Sequence, residues 1–253
     1  MAVFSCGRLL TQILEMRMIS QLFSHQSSGT VKDRLPVAYV PAAAHLIVSS
    51  QMTNLFTSTE PVDFWVWVNP NNWLVRHQVS VVGGFFSGGL VSGEKKSNLM
   101  FLPNPDFGGD ITPFQHGVMR EYMAEYNLER GREFYNFKDY PSRLNAVYLF
   151  DREAEAHKYK ARHMAHVDGR VLKKGKSVTQ CIYSKHDSSW VDFLRLTHSV
   201  DPESISNVSK SYWSGVNVKD CQLMSMGQPW SQEPIIEILF LGRIEFYDKK
   251  LDC

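Results

Sequence analysis

The hydrophobic positions between residues 35 and 101 favour β structure. Runs of β-branched and aromatic residues alternate there with prolines, an Asn-Pro pair and Gly-Gly pairs, which commonly separate strands. The pattern predicts strands at residues 37–40, 46–49, 64–68, 73–82 and 85–91. We expect hairpin turns at the Gly-Gly pairs, with a pliant loop that touches phosphate as the alternative. Residues 101–111, which hold two prolines and another Gly-Gly pair, are expected to form a loop.

Apolar residues recur at steps of three and four after His116, which predicts a helix over residues 116–130. Glu121 and Glu125 lie outside the apolar stripe. The stripe consists of Val118, Met119, Tyr122, Met123 and Tyr126.

Two more helices are predicted from their start signals. Asp151 is expected to cap a helix that runs to about residue 164, because its carboxylate can accept from free backbone amides. Asp201-Pro202-Glu203 predicts the start of a helix that ends at Gly215, since proline has no amide to lose and glutamate suits the positive end.

The remaining apolar runs predict four strands, at residues 144–150, 177–183, 235–240 and 243–247. The last two are expected to form a hairpin joined at Leu241-Gly242. This order of strands and helices favours a mixed α+β domain over regular βαβ winding. We expect residues 1–34 to form an amphipathic helix and a linker, and residues 35–253 to form a single domain.

Composition and charge narrow the function classes. The 27 basic and 26 acidic residues give a net charge of +1, which provides no global attraction for nucleic acid or an acidic membrane. The longest segment without charged residues, 35–59, is too polar to span a bilayer. The four cysteines are far apart and form no zinc spacing, so we expect no metal site and a reducing, cytoplasmic location.

Several signatures of known chemistry are missing. The chain has no GxxxxGK[ST], no GxGxxG after a strand, no GxSxG and no HExxH. The acids Asp106, Asp110 and Asp139 are too loosely spaced to predict a metal-dependent nuclease. His157, His163 and His166 lie on or just after the helix predicted from Asp151 to about residue 164, and they are interpreted as a solvated helix face rather than a ligand site.

Glu237 is a single carboxylate within an otherwise apolar strand. An ionised group there costs several kcal/mol unless it lies in a cleft or accepts hydrogen bonds. The alternative is that Glu237 lies at an exposed edge and faces water, opposite its neighbours. A second open question concerns the aromatic residues of segment 64–73, which could stack on bases but are interpreted as core packing, because the segment contains no basic residue.

Three motifs carry a resemblance to a known family. PSRLNAVYLF, SYWSG about sixty residues later, and PIIEILFLGRIEF together resemble a bacterial domain family of unknown function that is similar to the ADP-ribosyltransferases. The resemblance covers about residues 139–248, with an extension to Ala44. It implies a split β-sandwich of ADP-ribosyltransferase type, with helices packed beside it, that clamps NAD in an extended cleft.

The resemblance also implies a set of site residues. Glu237 would stabilise the ribosyl cation that forms as nicotinamide leaves, and Ser142 would orient Glu237 by a hydrogen bond. Position 235, two residues before Glu237, is Ile, whereas the members that modify arginine typically have Glu or Gln there. This difference argues against arginine as the acceptor. The expected NAD-binding residues are His45 (with Arg76 in reserve), Arg143, Tyr148, Tyr212 and Trp213.

The implied function is an enzyme that transfers ADP-ribose from NAD to a macromolecular acceptor, either protein or nucleic acid. Such an enzyme could be a toxin, an effector or a phage-related protein, with an inhibitor or antitoxin as a further partner, and it needs neither metal nor membrane. The alternative is a binding module without catalysis, which keeps the fold and does not turn over NAD.

Overall fold

The structure, a computed structural model, describes residues 54–92, 113–178, 180–196, 202–225 and 228–251. Residues 1–34, the strands expected at 37–40 and 46–49, the loop at 101–111 and His45 lie outside these ranges. Within them, no helix is both long and apolar enough to cross a membrane.

Strands and helices alternate irregularly along the chain. The strands are β1 (Leu55–Ser58), β2 (Asp63–Val68), β3 (Gly84–Phe86), β4 (Val147–Leu149), β5 (Val171–Ser177), β6 (Cys181–Asp187), β7 (Leu223–Ser225), β8 (Gln228–Trp230), β9 (Ile236–Leu241) and β10 (Arg243–Phe246). The helices are α1 (Trp73–Val82), α2 (Gly88–Ser92), α3 (Pro113–Phe134), α4 (Glu153–Arg162), α5 (Met164–Val167), α6 (Ser189–Leu196) and α7 (Pro202–Trp213).

Two antiparallel sheets of four strands form the centre of the fold. One sheet has the order β1-β6-β9-β4, the other has the order β2-β5-β10-β3, and β7 pairs with β8 in a separate hairpin. Side chains from both sheets share one core, which includes Phe64, Leu149, Phe240 and Ile244. The α+β class with antiparallel sheets is therefore confirmed.

The helices α3, α6 and α7 cover the outer face of the first sheet. Trp190, Tyr212 and Trp213 pack there with Leu239 of β9. Consequently β9 is buried on both faces, with Ile238 and Phe240 toward the second sheet and Leu239 toward the helices. This double burial explains why β9 reads as a nearly continuous apolar run.

The predicted hairpin at residues 235–247 is wrong. β9 extends to Leu241, so that only Gly242 separates it from β10, and a single residue is too short for a hairpin turn. The chain instead passes from one sheet to the other at Gly242. The crossing is held by Ser87, whose N–H donates to the Gly242 carbonyl and whose hydroxyl accepts from the Gly242 N–H, both at 3.0 Å.

The strand predicted at residues 73–82 is the helix α1. Asn72 caps it, because its side-chain oxygen accepts from the Leu74 N–H at 2.9 Å, and Gly83 ends it with a φ of 72°. The first Gly-Gly pair therefore ends a helix and begins β3, instead of forming a hairpin turn. The strand expected at 85–91 shortens accordingly, since α2 begins at Gly88.

Other predicted boundaries change for similar reasons. The strand expected at 177–183 is interrupted, because β5 ends at Ser177 in one sheet and β6 begins at Cys181 in the other. Asp151 does not cap α4; the cap position is Arg152, and the Asp151 carboxylate accepts from Lys185 at 2.7 Å. The helices predicted at 116–130 and after residue 201 are confirmed as α3 and α7.

Gly84 is the tightest contact between β3 and β10. A Cβ atom at Gly84 would lie 1.9 Å from the backbone oxygen of Ile244. We expect Gly84→Ala to lower the free energy of unfolding, measured by urea denaturation, by about 1–3 kcal/mol, because the backbone of β10 has to move.

Gly88→Ala is the matched control, since a Cβ there would meet its nearest neighbour at an ordinary 3.5 Å. Equal stability of the two variants would contradict the close packing of β3 on β10.

Candidate functional site

Glu237 lies at the start of β9, on the same face as Leu239, and points toward the helices. It is 4% exposed, so the alternative of a solvent-facing edge position is wrong. Its side chain contributes to the lining of a cavity of about 360 Å³. Cationic, acidic, imidazole and aromatic side chains line the rest of this cavity. The lining includes Trp67, Glu125, Arg143, Tyr148, Phe150, Tyr159, His163, His166, Arg170, Asp192 and Arg195.

Arg143 connects Glu237 to a second carboxylate. Its Nε donates to Glu125 Oε2 at 2.6 Å and its Nη2 donates to Glu125 Oε1 at 2.9 Å. Its Nη1 donates to Glu237 Oε1 and, at 2.5 Å, to the hydroxyl of Tyr212. We call Arg143, Glu125, Glu237 and Tyr212 the Arg143 cluster.

Tyr212 fixes the Glu237 carboxylate from the helix side. Its hydroxyl donates to Glu237 Oε1 at 2.8 Å. The Tyr212 ring lies between the Arg143 guanidinium, 5.2 Å from the ring centroid, and the stacked imidazole of His186 at 4.4 Å. Tyr148 covers the other side of Arg143, also at 5.2 Å.

Burial and charge set the protonation of the cluster. Burial raises the pKa of Glu237, and Arg143 opposes that rise. Burial acts on Glu125 in the same sense, but the charge and hydrogen bonds of Arg143, with the charge of Arg195, outweigh it and hold the pKa of Glu125 below its usual range. Burial also raises the pKa of Tyr212 well above its usual range. One buried cation therefore supports two carboxylates.

His186 supports the cluster from behind as a neutral imidazole. It pairs with Glu237 across β6 and β9. Its Nδ1 lies 2.8 Å from the Tyr212 carbonyl and 3.2 Å from the Asn54 side-chain nitrogen, and its Nε2 lies 2.8 Å from the Ser184 hydroxyl. Burial lowers the pKa of His186 to about 3.

The structure separates the residues named by the resemblance. Glu237, Arg143 and Tyr212 are in contact, and Tyr148 lines the same cavity. Ser142 is buried next to Arg143, but its hydroxyl accepts from the Leu144 N–H at 3.2 Å. The expected hydrogen bond from Ser142 to Glu237 is not formed; in the described part of the chain, Arg143 and Tyr212 hold that carboxylate.

Two other expected residues lie away from the cavity. Trp213 is buried in the helical core, where its indole N–H donates to the Leu128 carbonyl at 2.6 Å, and it does not line the cavity. Arg76 is exposed on α1 instead of leading a strand. His45 lies outside the described residues.

The cavity lining also includes His163 and His166, which the sequence analysis interpreted as part of a solvated helix face. Tyr159, His163 and His166 follow one another at steps of four and three, which places them on one side of the segment that contains α4 and α5. His163 stacks on His166 with ring centroids 5.3 Å apart, and its Nε2 lies 3.2 Å from the Asp192 carboxylate. The spacing was a usable signal, whereas nothing local indicated Asp192 as the partner.

The described residues contain no group of histidine, cysteine and acidic side chains that could hold a metal ion. Comparison with known proteins does not supply a family: no protein-family model matches this chain, and a search of curated proteins found no match.

Removal of the Arg143 charge would leave the buried Glu237 carboxylate and the partly buried Glu125 carboxylate without their shared cation. We expect Arg143→Gln to lower the free energy of unfolding at pH 7 by about 3–5 kcal/mol, measured by urea denaturation. The loss should shrink at pH 4.5, because the unpaired carboxylates then take up protons in the folded state.

Arg152→Gln is the control for that experiment. The Arg152 side chain is 66% exposed, and its ion pairs with Asp151 and Glu155 should contribute less than about 1 kcal/mol. A loss at Arg143 that is equally small, or that does not change with pH, would contradict the pairing.

The low pKa of His186 predicts a defined pH dependence of stability. Between its ordinary value of 6.5 and about 3, unfolded His186 binds a proton that folded His186 does not. The contribution of neutral His186 to the free energy of unfolding is therefore fully present above pH 6.5. As the pH decreases from 6.5 toward 3, this contribution falls by about 1.4 kcal/mol per pH unit.

We expect His186→Gln, although less stable at pH 7, to show a shallower decline between pH 6.5 and 4.5 in the same denaturation series. His157→Gln, whose side chain is 58% exposed, should keep the wild-type slope. Parallel curves for wild type and His186→Gln would exclude a neutral buried imidazole.

Proposed function

We propose that this protein is an NAD-dependent ADP-ribosyltransferase, which breaks the bond between nicotinamide and ribose and transfers ADP-ribose to a protein or nucleic-acid acceptor. The observation that carries the proposal is the buried carboxylate of Glu237, held in place at the wall of a cavity. The PSR, YWxG and late-strand glutamate motifs support the same family and a split β-sandwich of that type.

The chemistry follows from where positive charge develops. As nicotinamide leaves, the ribose C1′ takes on oxocarbenium character, and a fixed carboxylate stabilises that charge only in the transition state. Glu237 Oε1 accepts the hydrogen bonds of both Arg143 and Tyr212. Because these two described partners converge on Oε1, Oε2 is the oxygen that would face the ribose.

The rest of the cavity suits the other parts of a dinucleotide. Its volume of about 360 Å³ lies in the range of small-molecule sites. Tyr148 offers an aromatic face for nicotinamide. Arg143 is bound to two carboxylates, so we assign the diphosphate to Arg170, which lines the exposed rim and has no carboxylate partner among the described residues.

NAD as substrate implies action inside a cell, either the producing cell or a target cell into which the protein is delivered. A toxin or effector of this kind would have an inhibitor or antitoxin as partner.

A second candidate function is a binding module without turnover. The ion pair between Arg143 and Glu237 favours it, since a carboxylate that is already neutralised can serve the fold alone. Such a module would bind its ligand without releasing nicotinamide.

Nicotinamide release from NAD by the purified protein, followed by chromatography with and without cell lysate, tests the proposal. We expect turnover by wild type and a loss of roughly 10²–10³-fold in Glu237→Gln, because the amide cannot stabilise the ribosyl cation. NAD should also raise the melting temperature of wild type.

Glu245→Gln is the matched control, since Glu245 lies on β10, the next strand along the chain but in the other sheet, and pairs with the exposed Lys249. Thermal binding of NAD without any nicotinamide release would favour the binding module. The absence of both NAD binding and nicotinamide release would overturn the transferase and would favour a module that keeps the fold without using NAD.

A further inference from the structure

His163 occupies a distinctive position in the cavity. It lies between α4 and α5, with φ of −121° and ψ of 49°, so the helical path breaks at this residue. Its side chain is 13% exposed, although the residue belongs to a charged and otherwise solvated segment. Its ring packs against both Tyr159, at 4.7 Å, and His166, at 5.3 Å.

Asp192 gives this imidazole an acidic partner. Its Oδ2 lies 3.2 Å from His163 Nε2, and its side chain is 7% exposed. Arg162 donates to the same oxygen at 3.4 Å, while Arg195 lies 3.7 Å from Oδ1. These two cations fix the Asp192 carboxylate in place. His163 Nε2 makes no hydrogen bond in the described structure, so its contact with Asp192 at 3.2 Å is electrostatic, and it directs Nε2 toward that carboxylate.

His163 and Glu237 belong to one cavity. Both line the same space of about 360 Å³. Tyr159, which is in ring contact with His163, has a pKa raised to about 12, first by burial and next by the negative charge of Glu237. The charge of Glu237 is thus felt at the ring that His163 packs against.

We propose that His163, positioned by Asp192, is the general base that takes the proton of the acceptor, and that the acceptor nucleophile is a neutral hydroxyl group. This inference rests on the proposed ADP-ribosyl transfer and names the chemistry of its second substrate. A carboxylate or another anionic nucleophile would have no proton to give up and would need no base.

The proton and electron balance is complete without a further reactant. The bond between C1′ and the nicotinamide nitrogen breaks, and its electron pair leaves with neutral nicotinamide. A lone pair of the hydroxyl oxygen forms the new bond to C1′, and the hydroxyl proton passes to Nδ1 of His163. The resulting imidazolium is stabilised by Asp192 and later returns the proton to water.

A general base can be distinguished from a structural residue with two nucleophiles, of which only one loses a proton when it attacks. Water, like any hydroxyl, loses a proton when it attacks, whereas azide is an anion that loses none. We would incubate NAD with each protein in the absence and presence of sodium azide and quantify ADP-ribose, 1″-azido-ADP-ribose and nicotinamide.

We expect His163→Gln to lower hydrolysis of NAD roughly 10²-fold, in the range of a lost general base, while azidolysis stays within about fivefold of wild type. Asp192→Asn should show the same split, since Asp192 acts through His163. His157→Gln, on the preceding helix α4 and exposed, should match wild type with both nucleophiles.

Equal losses of hydrolysis and azidolysis in His163→Gln would indicate a structural role and overturn the proposal, as would hydrolysis within about twofold of wild type. The Glu237→Gln variant separates this inference from the proposed function. Loss of both reactions in Glu237→Gln with no effect in His163→Gln refutes the base alone, whereas no nicotinamide release by wild type refutes the transferase itself.

Discussion

One buried guanidinium connects the helices to the first sheet beside the cavity. Arg143 joins Glu125 of α3 to Glu237 of β9, and the Tyr212 hydroxyl of α7 binds both Arg143 and Glu237. Burying three charges costs several kcal/mol per ion, and their pairing offsets that cost only when the geometry is good. The Arg143 cluster therefore specifies how the helices sit on the first sheet more than it adds to stability. A shift of α3 along the sheet would separate Glu125 from Arg143, and a shift of α7 would remove the Tyr212 hydroxyl from both Arg143 and Glu237.

The position of β9 makes this arrangement possible. A strand buried on both faces normally carries only apolar side chains, and β9 meets that condition at Ile238, Leu239 and Phe240. Glu237 can be tolerated because it is at the beginning of the strand, where the helical layer opens into the cavity. After the crossing at Gly242 the chain continues as β10 in the second sheet. Ile244 and Phe246 of β10 then pack in the core between the two sheets.

The sequence predicted those features that depend on local signals. α3 and α7 follow from apolar periodicity and from a proline at the helix start, and Glu237 attracted notice because a lone acid in an apolar strand requires a compensating environment. α1 was mistaken for a strand because its β-branched residues suggested one, whereas the Asn72 cap and the left-handed Gly83 decided for a helix. The partners Glu125 and Asp192 are distant in sequence from the groups they contact, so only the packing of α3 and α6 could reveal them.

Arg143 and Arg170 both line the cavity, but their different surroundings suit them to different roles in the proposed reaction. In the proposed reaction the carboxylate of Glu237 has to remain ionised, yet burial raises the pKa of Glu237. The charge of Arg143 and the hydrogen bond of Tyr212 oppose this rise, and withdrawing Arg143 toward a diphosphate would leave Glu237 more easily protonated when its charge is needed. Arg143 is thus better understood as the residue that positions Glu237 and keeps it charged. Under the proposed function, the phosphate contact would be made by a cation that has no carboxylate partner in the described structure, and Arg170 at the rim meets that condition.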